Sequence, residues 1–125
     1  MHCCIFLDPT LTVEVSPSTS TLLDVTPYNL IMIDCDVTQP LAVTTSKTIT
    51  WREISPSGMV QTLNHDGIGT NITMTGPDNS ATTSRLSVYA TAAGRWRYTC
   101  SANLHIPGDP LMSYSQTAVV IVKGG

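Results

Sequence analysis

Residues 95–100 read Arg95-Trp96-Arg97-Tyr98-Thr99-Cys100. Every second side chain is large and apolar, so a strand sets Trp96, Tyr98 and Cys100 on one face and turns Arg97 and Thr99 to the other. The same alternation runs outward through the chain. In 28–37 it groups Ile31, Ile33, Cys35 and Val37; in 48–54, Ile49 and Trp51; in 84–89, Leu86 and Val88. Further strands are expected at 11–16 and 20–25, a first strand broken at Pro17 as a sheet edge tolerates, and at 59–63, 71–75 and 115–123. Turn signals separate these segments, among them Pro56-Ser57-Gly58, Gly76-Pro77-Asp78-Asn79 and Pro107-Gly108-Asp109-Pro110. Their regular spacing predicts a sandwich or barrel of short strands.

Composition agrees. The 125 residues suit one domain, and 12% charged residues with 42% apolar ones exclude a self-repelling disordered chain. Nineteen Thr and twelve Ser stand against two Glu and two Lys, a balance that favours strands over helices. All-β is therefore the expected class. The net charge of −3 gives no footprint for nucleic acid. The apolar runs 30–33 and 118–122 fall far short of the ~18 residues a membrane helix needs, so no direct membrane insertion by this segment is expected. The apolar stretch 3–7 is shorter than the ~7–15 residues of a secretory signal core. Residues 1–10 read as a linker or appended segment and 11–123 as the domain.

Chemistry is sparse. His2, His65 and His105 are scattered with no second ligand at metal spacing, so neither metal nor cofactor is expected. His65-Asp66 could mimic a catalytic dyad, but a loop pair of this kind is ordinarily solvated, and no catalytic residues are assigned. Asp34 and Asp36 flank Cys35 and so face solvent. Pairing with Arg85 on a neighbouring strand accounts for them better than calcium, which needs 6–8 oxygens. Asn71-Ile72-Thr73 is a glycosylation sequon. Cys3 and Cys4 read as an appended segment or linker thiols, with an interchain disulfide as the alternative.

Cys35 and Cys100 both lie on apolar strand faces, 65 positions apart; Trp51 follows the first by sixteen, and Tyr98 precedes the second by two. Two inward cysteines on different strands can bridge sheets packed ~10 Å apart, with an indole covering the sulfurs. Each residue alone could also be a plain core residue of another sandwich. Together the set resembles the immunoglobulin superfamily over nearly the whole of 11–123. The resemblance implies a two-sheet Greek-key sandwich with a Cys35–Cys100 disulfide. Closing that loop of 66 residues stabilises by roughly 4 kcal/mol in the chain-entropy model. The 33 residues between Trp51 and Arg85 look like a variable or intermediate type. Such domains usually carry an acidic residue six before the second Cys and Gly or Ala four before it. This chain has Gly94 and Trp96 there, which leaves the usual salt bridge at the strand bases without its acidic member.

By family resemblance the expected role is a non-catalytic extracellular recognition or adhesion module of a single-pass cell-surface receptor, similar to modules of invertebrate receptor tyrosine kinases or adhesion receptors. A secreted defence protein and a spacer in a tandem array are the alternatives. The resemblance places the binding surface on the sheet of the C, F and G strands, for a protein ligand or a second copy. Parity turns Arg52, Ile54, Arg97 and Thr99 outward. In the last strand either Val119 and Ile121 or Val120 and Val122 must accompany them, and Val119 and Ile121 are assigned to the face.

Overall fold

The computed structural model describes residues 12–22, 30–38, 46–63, 70–75, 81–89, 92–105, 108 and 112–124. Among these the regular elements are nine strands: β1 (Thr12–Ser16), β2 (Thr19–Leu22), β3 (Leu30–Thr38), β4 (Ser46–Ile54), β5 (Val60–Leu63), β6 (Thr70–Thr75), β7 (Ala81–Tyr89), β8 (Gly94–His105) and β9 (Met112–Val122). They form a four-stranded sheet in the order β1-β3-β7-β6 and a five-stranded sheet in the order β2-β9-β8-β4-β5.

The break at Pro17 is a change of sheet. β1 runs antiparallel to β3, whereas β2 runs parallel to β9 at the edge of the other sheet. The Ser16–Pro17 peptide is cis, and the Val119 amide donates to the Ser18 carbonyl at 2.9 Å just past it. Both strands are edges, where a proline removes no ladder bond.

The inner faces carry the residues that the alternation groups. Ile33, Cys35, Val37, Trp51, Leu86, Tyr98 and Cys100 are buried in one cluster drawn from both sheets. Cys35 of β3 and Cys100 of β8 are disulfide-bonded, with Cα atoms 6.4 Å apart. A second tie crosses the same gap: the Trp51 indole N–H of β4 donates to the Ser84 hydroxyl of β7 at 2.8 Å, both side chains being buried. The arrangement is that of a disulfide-bridged β-sandwich.

Several strands extend beyond the expected bounds. β8 continues to His105 because Ala102 and Leu104 keep the inward alternation, and β9 begins three residues earlier, at Met112, opposite Leu104. β7 begins at Ala81, where Thr82 and Ser84 are hydroxyl side chains at buried positions. Gly94 opens β8 at φ +129°, and a Cβ there would sit 2.6 Å from two atoms of the Pro56 ring. An acidic side chain is thus sterically excluded from the position six before Cys100.

Candidate interaction face

The outer face of the five-stranded sheet is set by the hairpin and ladder registers. The β4–β5 turn is closed by the Gly58 amide donating to the Ser55 carbonyl at 2.9 Å, with Gly58 at φ +92°. That turn puts Val60 opposite Ile54 and Thr62 opposite Arg52. Across the next ladders Ile54 faces Arg97, which faces Val119; Arg52 faces Thr99, which faces Thr117; and Arg95 faces Ile121. Arg52, Ile54, Arg97, Thr99, Val119 and Ile121 therefore share one outer surface. The β9 register resolves the two options left by parity: Val120 and Val122 are buried, while Ile121 is 37% exposed.

Arg52, Arg95 and Arg97 are all exposed. Arg95 and Arg97 stand two positions apart on one strand and Arg52 lies diagonal to Arg97, spacings of roughly 7 Å. Among the described residues none of the three pairs with a carboxylate, and no outward strand position of this sheet carries one. Val60, at 57% exposed, extends the apolar part beside them. Beyond Arg52 the surface becomes polar and internally hydrogen-bonded. Thr99 and Thr117 share a hydrogen bond of 2.8 Å, Ser113 donates to the Asn103 side-chain oxygen Oδ1, and the Asn103 Nδ2 donates to the Thr48 hydroxyl at 3.4 Å. His105 ends β8, exposed and 3.5 Å from the Thr48 hydroxyl.

Inward from this face, Trp96 stacks on Tyr98 with ring centroids 6.4 Å apart, and its indole N–H donates to the Ala92 carbonyl at 3.0 Å. Burial pushes the Tyr98 phenol well above its usual range, and the Glu53 carboxylate, as a neighbouring charge and a hydrogen-bond acceptor, pushes it the same way. Glu53 thus supplies an acidic partner for Tyr98 from the adjacent strand.

On the opposite sheet Arg85 holds Asp34 through two bonds, Nε–Oδ1 at 2.7 Å and Nη2–Oδ2 at 3.2 Å, as the pairing with Arg85 anticipates. The Arg85 hydrogen bond holds the Asp34 carboxyl below its usual range; partial burial opposes this, and the Arg85 charge reinforces it. Asp36 accepts instead from the Thr83 hydroxyl at 2.8 Å.

Arg95 and Val60 belong to the face and are absent from the sequence-derived set. Arg95 shares the parity of Arg97 and was legible on that ground; Val60 needs the turn register. His2, Cys3, Cys4, His65 and Asp66 lie outside the described residues, as does the Asn71 side chain, although the Asn71 backbone pairs with Ser87 in the β6–β7 ladder. Among the described residues no three His, Cys, Asp or Glu side chains come together as a metal site. Comparison with protein-family models and with curated proteins returns no match.

Proposed function

We propose that this chain is an immunoglobulin-type recognition module, exposed to an oxidising extracellular environment as part of a cell-surface receptor, and that it binds a protein through the outer face of its five-stranded sheet. The observation that carries this reading is the convergence of Arg52, Arg95 and Arg97 with Ile54, Val119, Ile121 and Val60 on one surface. Arginine interleaved with apolar side chains, here exposed at Val60 and Ile121 and half-buried at Ile54 and Val119, is the composition of protein interfaces, where guanidinium groups bind carboxylates bidentately and aliphatic groups supply desolvated area. Folding alone gives no reason to concentrate three like charges on one surface.

The immunoglobulin-type Greek key is supported by three features together. The strand order places β1 and β2 at edges of different sheets, the Cys35–Cys100 bond joins β3 to β8, and Trp51 lies between the sheets. The disulfide also supports the extracellular setting, since such bonds persist where thiols are not kept reduced. The polar half of the same sheet already satisfies many of its own hydroxyls, which favours the arginine end as the contact region.

The test is binding of fluorescent tetramers of the domain to intact cells of the source organism. Wild-type tetramers are expected to stain, and Ile54→Asp or Val119→Asp to abolish staining while the monomer's unfolding midpoint stays near wild type. Staining unaffected by either substitution would move the contact elsewhere and refute the assignment.

A further inference from the structure

The four-stranded sheet has an outer face of opposite character. Glu14, Asp34 and Asp36 project from β1 and β3 against the single guanidinium of Arg85, which is already engaged by Asp34. Glu14 and Asp36 stand directly opposite each other in the β1–β3 register, and both are exposed. Like charges directly across a strand pair are locally destabilising, so this face, like the arginine face, carries a conflict that the isolated fold does not need. Beside the carboxylates lies an apolar group: Leu30 faces Tyr89 across the β3–β7 ladder, with Met32 two positions along β3. These three are 39%, 47% and 45% exposed, respectively.

Each outer face therefore combines net charge of one sign with exposed apolar area, negative on the four-stranded sheet and positive on the five-stranded one. We infer that a second copy of this chain occupies the arginine face, docking the acidic and apolar outer face of its four-stranded sheet there in a head-to-tail contact. The inference rests on the proposal that the five-stranded sheet binds a protein through this surface, and it names the partner. Charge selects the symmetry. A two-fold contact through the five-stranded sheets would set Arg52, Arg95 and Arg97 against their own copies, and one through the four-stranded sheets would oppose Glu14 and Asp36 to theirs. Only the heterologous pairing brings guanidinium groups to carboxylates and lets the aliphatic groups of both faces share a dry centre. A heterologous contact leaves one free face of each kind at the ends, so it extends into rows of copies unless the rotation closes a ring. Because the charges are solvent-exposed, salt should weaken the association once the screening length falls below the ~8–10 Å of ordinary buffers.

Sedimentation velocity of the purified chain over a concentration series tests this. Average mass is expected to rise past that of a dimer at low ionic strength and to fall toward monomer in high salt. Arg95→Ser/Arg97→Ser removes one face and Glu14→Ser/Asp36→Ser the other, so each variant alone should stay monomeric. An equimolar mixture of the two retains one intact face of each kind and should form a complex that stops at two chains. A wild type that remains monomeric throughout, a closed dimer indifferent to Glu14→Ser/Asp36→Ser, or a mixture that fails to associate would each overturn the inference. Monomeric behaviour combined with tetramer staining of cells would leave the recognition reading standing with a different partner.

Discussion

Ser84→Ala is the sharpest probe of the contact between the sheets. The Trp51 indole N–H is buried, and its partner is the Ser84 hydroxyl 2.8 Å away on the opposite sheet. Removing the hydroxyl leaves a donor with no water to turn to, a penalty of about 1–3 kcal/mol, whereas an exposed Ser→Ala change costs almost nothing. For 125 residues the unfolding entropy is roughly 0.26 kcal/mol per kelvin, so the expected loss is about 4–11 °C in Tm. Calorimetry and urea denaturation of the disulfide-intact protein provide the assay. Trp51→Phe separates the bond from packing. That change removes the donor and also leaves a void, but Ser84→Ala added to it has no indole N–H left to strand. The double-mutant cycle should therefore show a coupling energy of about 1–2 kcal/mol. A Ser84→Ala variant within about 0.5 kcal/mol of wild type, or strictly additive substitutions, would refute the claim that this bond ties the sheets.

Two further outcomes are expected. Non-reducing peptide mapping should recover Cys35 and Cys100 as one linked pair, and Cys35→Ala should lower stability by about 2–5 kcal/mol; two free thiols would contradict the bridge. The pH limits of stability should carry two named groups. Asp34, held low in the folded state, contributes stability that is present above its unfolded value of about 4 and is lost as pH falls through its lower folded one; Tyr98, pushed up, contributes stability that is full below about pH 10 and erodes as pH rises beyond it. Asp34→Asn should flatten the acid limb and Tyr98→Phe the alkaline limb of a urea-midpoint profile, and limbs parallel to wild type would refute the assignments.

Much of the fold was legible because alternation is a local signal with a long reach. The parity of Trp96, Tyr98 and Cys100 sorts β8 into two faces, and the same parity assigns Arg97 and Thr99 to the surface without knowledge of any partner strand. What local patterning does not carry is which strand lies opposite. The β9 choice between Val119 with Ile121 and Val120 with Val122 is decided by Ala118, whose small side chain is fully buried opposite the bulky Tyr98. Ser84 reads as an ordinary strand residue until Trp51, 33 positions away, is seen above it. Gly94 is required by Pro56, a contact made through a turn that the alternation of β8 does not contain. The opposed charges of the two outer faces were hidden for the same reason. Glu14, Asp36 and the three arginines are scattered in sequence, and only the ladders assemble them.

Hydroxyl-radical footprinting of the chain, free and bound to the cells its tetramers stain, tests most directly whether the arginine-rich outer face of the five-stranded sheet is a contact surface. Reduced oxidation is expected at Arg52, Ile54, Arg97, Val119 and Ile121 in the bound state. Unchanged oxidation at these five positions, with protection appearing elsewhere on the domain, would contradict it.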